Sequence, residues 1–203
     1  MSIRADNVRL NIAEEAARLI IEGGMRDYQL AKRKAAQRLG VIDRGGLPTN
    51  LEIEEAVMAH QRLFRADSQP RKLTELREAA IHAMEFLADF EPRLTGAVLS
   101  GSADEHSYVE LHLFTDSSEE VAMLLMDHSI PYESGDKRLR MTPQEHRYFP
   151  TFRFLAGETP IELLVMPNRA SRQPPLSPIT RQAMRRVTLV KFRRLLERET
   201  RAC

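Results

Sequence analysis

Cysteine is almost missing from this chain, and tryptophan is missing entirely. Its 203 residues include one cysteine, Cys203, and aromatic residues make up 6% of the total. A single cysteine excludes an intramolecular disulfide and any zinc or cluster site built from several cysteines, and it is typical of a reducing compartment. The scarcity of aromatic side chains leaves little surface on which single-stranded nucleic acid could stack.

The chain also lacks an excess of charge of either sign and any long apolar run. Its 30 basic and 29 acidic residues give a formal net charge of +1, which argues against a globally basic nucleic-acid binder but leaves room for a local basic patch. No apolar stretch approaches the roughly 20 residues of a membrane-spanning helix. The charged segment MSIRADNVRLNIAEE has no signal-peptide core. We therefore expect a cytoplasmic protein with no membrane partner.

Helical periodicity dominates the first part of the sequence. Apolar residues recur at helical spacing after three candidate N-cap residues, Asn7, Asp27 and Asn50, which predicts three helices. A fourth helix is predicted over residues 73–90. The predicted regions are an N-terminal helical region over residues 1–70, an α/β core over residues 71–170, and a linker with a basic helix over residues 171–203.

From residue 95 onward the apolar pattern changes from helical to alternating. The sequence predicts strands over residues 95–100 and 107–114, and then a hairpin of two strands over residues 148–156 and 160–166. A final helix is predicted after Thr188. Helices followed by a mixed region favour an α+β fold, with a mixed β-sheet and flanking helices, over regular alternation of parallel strands and helices.

Two acidic residues within predicted strands define the candidate site. Glu110 lies in the middle of an alternating strand, and Glu162 lies among large aliphatic residues. Two carboxylates on neighbouring strands would suit a hard divalent cation such as Mg²⁺. Gly101 would let a ligand approach the backbone, and Ser102 with nearby amides could hold a phosphate. The simpler interpretations are a turn at Gly101-Ser102 and two solvent-facing glutamates.

Two short segments, Leu99-Ser100-Gly101-Ser102 and Ser107-Tyr108-Val109-Glu110-Leu111, carry a family resemblance. Together they resemble the signature of the nucleotidyltransferase-fold superfamily, which is related to polymerase beta. In that family a Gly-Ser or Gly-Gly follows the first strand, an Asp-x-Asp or Asp-x-Glu lies on the second, and a later strand supplies a third carboxylate. The acids hold two Mg²⁺ ions, which bind a nucleoside triphosphate and activate an acceptor hydroxyl.

The resemblance implies a nucleotidyltransferase-like mixed sheet over about half of the chain. It implies Glu110 and Glu162 as catalytic metal ligands, and Gly101 and Ser102 as residues that bind the phosphates. The sequence departs from the signature at the first acid, where Tyr108 stands. Its phenol is neutral at pH 7 and cannot neutralise a metal ion. His112 offers only a nitrogen, whereas Mg²⁺ prefers oxygen. We therefore predict an eroded metal site.

Three functions are consistent with a sequence that resembles the signature but has Tyr108 in place of its first acid. The leading one is a nucleotidyltransferase-like protein that retains at most weak binding of nucleotides or nucleic acid. The second is an active Mg²⁺-dependent nucleotidyltransferase that uses Glu110 and Glu162 with a nucleoside triphosphate. The third is a non-catalytic regulatory or partner-binding scaffold. Tyr108 favours the first and third functions over the second.

Basic residues are concentrated near the end of the sequence. The predicted last helix and the segment before it carry Arg181, Arg185, Arg186, Lys191, Arg193, Arg194, Arg198 and Arg201. Such a run indicates either a solvated face or a surface that contacts phosphates. We expect any nucleic-acid affinity to lie here, through Arg185, Arg186, Arg193 and Arg194. The alternative is that these arginines pair with acidic residues of the protein or of a second subunit.

Overall fold

The computed structural model describes residues 2–25, 27–41, 46–64 and 68–202. These residues form seven α-helices and one five-stranded mixed sheet, which confirms the predicted α+β class. The chain divides into two compact units, which are Met1–Pro70 with Pro178–Arg181, and Arg71–Ser177 with Gln182–Cys203. Within the described ranges, no helix is both long enough and apolar enough to cross a membrane.

Three helices form the first unit: α1 (Ser2–Gly23), α2 (Tyr28–Arg38) and α3 (Asn50–Phe64). The predicted cap of α2 is confirmed, because Asp27 Oδ1 accepts hydrogen bonds from the backbone amides of Gln29 and Leu30 at 2.8 and 3.1 Å. The predicted cap of α1 at Asn7 is wrong, because that helix already begins at Ser2. No glycine or proline precedes Asn7 to stop the helix from starting earlier.

The cap of α3 is Thr49 rather than the predicted Asn50. Thr49 Oγ1 accepts a hydrogen bond from the Glu52 amide at 3.2 Å, and Glu52 Oε2 accepts one from the Thr49 amide at 2.7 Å. This reciprocal pair is a capping box, which the T-x-x-E pattern of residues 49–52 encodes. Asn50 instead donates its side-chain amide to the carbonyl oxygen of Pro178.

The three helices enclose a core of small and branched side chains. Ile12, Ala16, Ala35, Ile53 and Val57 are each at most 3% exposed. All five lie at positions where helical spacing predicts an inward face. The same spacing also includes Val8, Leu30 and Leu39, which are exposed, so the predicted pattern is confirmed only in part.

The second unit contains the sheet. Its elements in chain order are α4 (Ser68–Phe86), which belongs to this unit from Arg71 onward, β1 (Arg93–Thr95), α5 (Gly96–Ser100), β2 (Val109–Phe114), α6 (Ser118–Asp127), β3 (Glu133–Arg140), β4 (His146–Ala156), β5 (Thr159–Met166) and α7 (Leu189–Ala202). The strand order is β1-β2-β5-β4-β3. Strands β2 and β5 are parallel, and the other neighbours are antiparallel. The predicted hairpin is confirmed, because β4 and β5 pair around a turn that contains Gly157.

The strand predicted over residues 95–100 is wrong. Strand β1 ends at Thr95, and residues 96–100 form the short helix α5. Gly96 has a backbone φ of 73°, in the left-handed region that ends an extended segment and that glycine adopts at little cost. The apolar run that follows Gly96 is too short for its periodicity to distinguish a strand from a helix.

The two faces of the sheet differ in what they contact. Val109, Leu111 and Leu113 of β2 lie in one hydrophobic cluster together with residues of α4, α6 and α7, which confirms the alternation predicted for this strand. Glu110 and His112 lie on the opposite face. The polar residues of β2 are therefore on the face that those helices do not cover.

Candidate functional site

The parallel pairing of β2 and β5 places the two predicted acids side by side. Glu110 is the register partner of Glu162, so both side chains leave the same face of the sheet. Neighbouring strands lie about 4.8 Å apart, and two carboxylates at that separation repel each other. The arrangement therefore requires positive charge nearby.

Lys137 and Arg153 supply that charge. Lys137 lies on β3, and its Nζ donates to Glu162 Oε2 and, at 3.4 Å, to Glu110 Oε2. Arg153 is the register partner of Glu162 on β4, and its Nε and Nη2 donate to Glu162 Oε1 at 2.9 and 2.8 Å. Because β4 lies between β3 and β5, the Lys137 side chain spans β4 to reach the acids. Two cations thus neutralise two carboxylates.

Burial and charge act in opposite directions on this cluster. Glu162 is 3% exposed. Burial would raise the pKa of Glu162, but Lys137 and Arg153 outweigh it and hold that pKa below its usual value. Burial would likewise lower the pKa of Lys137, but Glu110 and Glu162 hold it above its usual value. Glu162 and Lys137 are therefore both charged at neutral pH.

The glycine that lies against the acidic pair is Gly96. A Cβ atom built on Gly96 would lie 2.5 Å from Glu110 Oε1 and 2.9 Å from Glu110 Cδ. The register of β1 explains this contact, because Thr95 is the partner of Glu110 and Gly96 follows it directly. The absence of a side chain at Gly96 thus makes room for the Glu110 carboxylate.

Gly101 and Ser102 lie at the other end of α5. Gly101 has a φ of 87°, and its amide donates to the carbonyl oxygen of Ala97 at 2.9 Å, which ends the helix. A Cβ on Gly101 would meet Nη2 of Arg77, on α4, at 3.9 Å. Ser102 Oγ shares a hydrogen bond with Ser100 Oγ at 2.9 Å. The structure therefore brings Gly96, rather than Gly101, against the carboxylates.

His112 lies beyond Glu110 on the same face of β2. It is 4% exposed, and its buried Nδ1 has no hydrogen-bond partner among the described residues. Burial, together with the charges of Arg186 and Lys137, lowers the pKa of His112 to about 3. The ring is therefore neutral at pH 7. Tyr108 directly precedes β2.

The residues present do not fit a Mg²⁺ ion. Mg²⁺ requires oxygen ligands in near-octahedral geometry, yet both oxygens of Glu162 already accept hydrogen bonds from Lys137 or Arg153. The Lys137 ammonium also contacts Glu110, so it lies where an ion shared by the two acids would bind. Across the described ranges, no three His, Cys, Asp or Glu side chains are grouped so as to hold a metal.

Sequence reasoning missed three residues of this cluster: Gly96, Lys137 and Arg153. Gly96 lies within the segment 95–100 that the sequence predicts to be a single strand, so a turn at this glycine is not predicted. Lys137 lies in a charged stretch with no apolar alternation, and Arg153 becomes a partner of Glu162 only through the strand order. Of the three residues, only Gly96 could have been identified from the sequence, because it directly follows the first strand.

No protein-family model matches the chain, and no curated protein matches it. The structural class of the protein therefore rests on its fold and on the arrangement of this cluster alone. It is an α+β protein whose mixed sheet carries two adjacent glutamates neutralised by a lysine and an arginine.

Proposed function

We propose that this protein is nucleotidyltransferase-like and non-catalytic, with an internal ion pair in place of the metal site and at most weak binding of nucleotides or nucleic acid. The observation that carries the proposal is the contact of Lys137 with both Glu110 and Glu162. A lysine ammonium neutralises the paired acids, but it cannot act as a Lewis acid towards a triphosphate as a divalent ion does.

The turn between β1 and α5 supports the nucleotidyltransferase-like part of the proposal. The signature that the sequence resembles has a Gly-Ser or Gly-Gly after the first strand. Because β1 ends at Thr95, the residues directly after it are Gly96 and Ala97. Gly96 lies against Glu110, so the glycine and an acid of the second strand are adjacent. Ala97 is a further departure, since it has no hydroxyl to offer a phosphate.

The Lys137 contacts also argue against an active Mg²⁺-dependent enzyme built on the same acids. A divalent ion would have to displace a lysine held by two carboxylates, and Glu162 would still be paired with Arg153. Tyr108 adds no charge to favour that exchange. Among the residues that the structure describes, no feature favours the active alternative.

Removal of Lys137 tests the proposal. Mn²⁺ binding is measured by electron paramagnetic resonance in the wild type and in Lys137→Met, which keeps the length of the side chain and removes its charge. We expect no saturable binding by the wild type at up to millimolar Mn²⁺, and measurable binding by the variant. Adding Tyr108→Asp should strengthen binding in the Lys137→Met background and have little effect in the wild type, where Lys137 still occupies the acids.

Lys191→Met is the matched control, because Lys191 is exposed on α7 and absent from this cluster. It should leave Mn²⁺ binding unchanged. Saturable Mn²⁺ binding and incorporation of a labelled nucleotide by the wild type would refute the non-catalytic proposal. Absence of binding in the Lys137→Met/Tyr108→Asp variant would refute the idea that the acids derive from a metal site.

A further inference from the structure

A pocket of about 310 Å³ beside α7 is lined largely by basic side chains. Its lining residues are Arg185, Val187, Lys191, Arg194, Leu195 and Arg198. Four of the six are cationic, and none is acidic. The whole chain carries a net charge of +1, so this is a local concentration of positive charge on a nearly neutral protein.

The four cations of this pocket are not used by the fold. Within the described residues, the side chains of Arg185, Lys191, Arg194 and Arg198 make no hydrogen bond or ion pair, and all four residues are exposed. Other arginines nearby are engaged. Arg193 pairs with Glu85. Some basic residues of this segment are therefore paired within the protein, whereas Arg185, Lys191, Arg194 and Arg198 line the pocket.

Arg186 is a second engaged arginine. Its Nη2 donates to the carbonyl oxygens of Ala170 and Ser171 at 3.3 and 3.0 Å. Its guanidinium carbon lies 5.3 Å from the centre of the Phe114 ring. Of the four arginines that the sequence analysis assigned to nucleic-acid contact, Arg186 and Arg193 therefore have partners within the protein, whereas Arg185 and Arg194 line the pocket.

Helix α7 holds three of the cations in a row. Lys191, Arg194 and Arg198 are spaced by three and four residues and so follow one helix face. The row spans about 10 Å along the helix axis, at 1.5 Å per residue. Phe192, 1% exposed, lies about 100° around α7 from Lys191 and packs in the core. The row itself is exposed, on a helix that the core holds in place.

We infer that this pocket binds the phosphate backbone of nucleic acid. A row about 10 Å long is longer than one phosphate requires, which favours a polyanion with regularly spaced charges over a small anion. The pocket has no aromatic side chain on which a base could stack, so binding is through the backbone and independent of base sequence. The inference deepens the proposed binding role and does not depend on the state of the acidic pair.

The test uses fluorescence anisotropy of a labelled twelve-nucleotide oligouridine in EDTA, so that no metal contributes. Each phosphate contact on a single strand contributes a slope of about −0.7 to log K against log salt. Four contacts predict a slope of about −2.8, which is a loss of about 50-fold in affinity between 50 and 200 mM salt. Arg194→Gln/Arg198→Gln should halve the slope and weaken binding at 50 mM salt at least tenfold.

Arg169→Gln/Arg172→Gln is the matched control, because it removes the same charge from two exposed arginines outside the pocket. Its affinity should stay within twofold of the wild type. Arg185→Gln/Lys191→Gln is an independent second variant with the same expected loss, and thermal melts confirm that each variant folds. Equal losses in the pocket and control variants would overturn the inference, as would no binding by the wild type at 50 mM salt.

A competition experiment separates nucleic acid from an acidic protein partner. Unlabelled oligouridine should displace the labelled strand, whereas polyglutamate of equal charge should displace it much less well. Equal competition by both would overturn the assignment to nucleic acid. The Mn²⁺ experiment uses no nucleic acid and this one uses no metal, so failure of either leaves the other interpretable.

Discussion

Glu110 and Glu162 are register partners on parallel strands, and the ammonium of Lys137 donates to both. The two acids differ in their surroundings, however. Glu162 is 3% exposed and also accepts from Arg153, whereas the side chain of Glu110 is 35% exposed. The same substitution at the two positions should therefore have different consequences for stability.

Glu162→Gln should lower the free energy of unfolding by about 2 kcal/mol at pH 7. Removing one partner of a fully buried ion pair costs about 3–5 kcal/mol, and the partly exposed Lys137 and Arg153 recover some of that from water. Glu110→Gln should cost less than about 1 kcal/mol, as exposed ion pairs do. Urea unfolding of both variants measures the difference. Equal losses of stability in the two variants would show that the pairing of Glu162 with Lys137 and Arg153 contributes no more to stability than the contact of Glu110 with Lys137.

The pH dependence of the Glu162→Gln effect has a defined sign. The pKa of Glu162 is lowered in the folded protein from its usual value of 4.5, because Lys137 and Arg153 outweigh the effect of burial, so its charge stabilises the fold above pH 4.5. That contribution is lost as pH falls below 4.5 through the folded-state pKa. The wild type and Glu162→Gln should thus approach equal stability in acid. A gap that stays constant down to pH 3 would contradict the lowered pKa.

Gly96→Ala should destabilise the protein by about 2–3 kcal/mol. About 1–2 kcal/mol comes from a φ of 73°, which is unfavourable for any residue with a Cβ. The remainder, about 1 kcal/mol, comes from moving the Glu110 carboxylate away from the new methyl group and so from Lys137. Urea unfolding provides the measurement.

Two further variants separate the contributions to the Gly96→Ala effect. Gly157→Ala is the matched control, because Gly157 has a φ of 62° and nothing within 4 Å of a Cβ, so only the backbone term applies. In a Glu110→Ala background, Gly96→Ala should lower the free energy of unfolding by no more than Gly157→Ala does. An undiminished cost in that background would show that Glu110 is not what requires a glycine at residue 96.

The acidic pair could be predicted from the sequence, but the lysine that neutralises it could not. Alternation along β2 puts Glu110 on the face opposite the apolar residues, and an acid among the aliphatic residues of β5 is noticeable in the sequence itself. Lys137 gives no such signal. Strand β3 reads ESGDKRLR and is exposed or intermediate at every position, because it lies at the edge of the sheet. Without a buried face it has no apolar period to recognise.

Long-range partners were also out of reach for the basic residues. Helical spacing correctly places Phe192 in the core, but Arg193 pairs with Glu85, which is 108 residues away in sequence. Lone charges carry no pattern that identifies such a partner. The sequence therefore predicts a basic segment, whereas only the folded structure shows which of its arginines have partners within the protein.

His112 should make the protein sensitive to mild acid. Its pKa is lowered from 6.5 to about 3 in the folded protein, so the unfolded chain binds a proton that the folded one excludes. The neutral ring is compatible with the fold above pH 6.5, and stability is lost as pH falls from 6.5 towards 3. At about 1.4 kcal/mol per pH unit, the loss from pH 7 to pH 5 is about 2 kcal/mol.

His112→Leu isolates this contribution, because it removes the titrating ring and fills a similar volume with an apolar side chain. The variant also removes a buried nitrogen that has no partner among the described residues, so at pH 7 we expect it to be at least as stable as the wild type. Urea unfolding between pH 7 and pH 5 should show a gap that widens by about 2 kcal/mol in favour of the variant. Glu162 does not interfere in this window, because its contribution changes only below pH 4.5. Parallel stability curves for the two proteins would mean that His112 accepts a proton in the folded state.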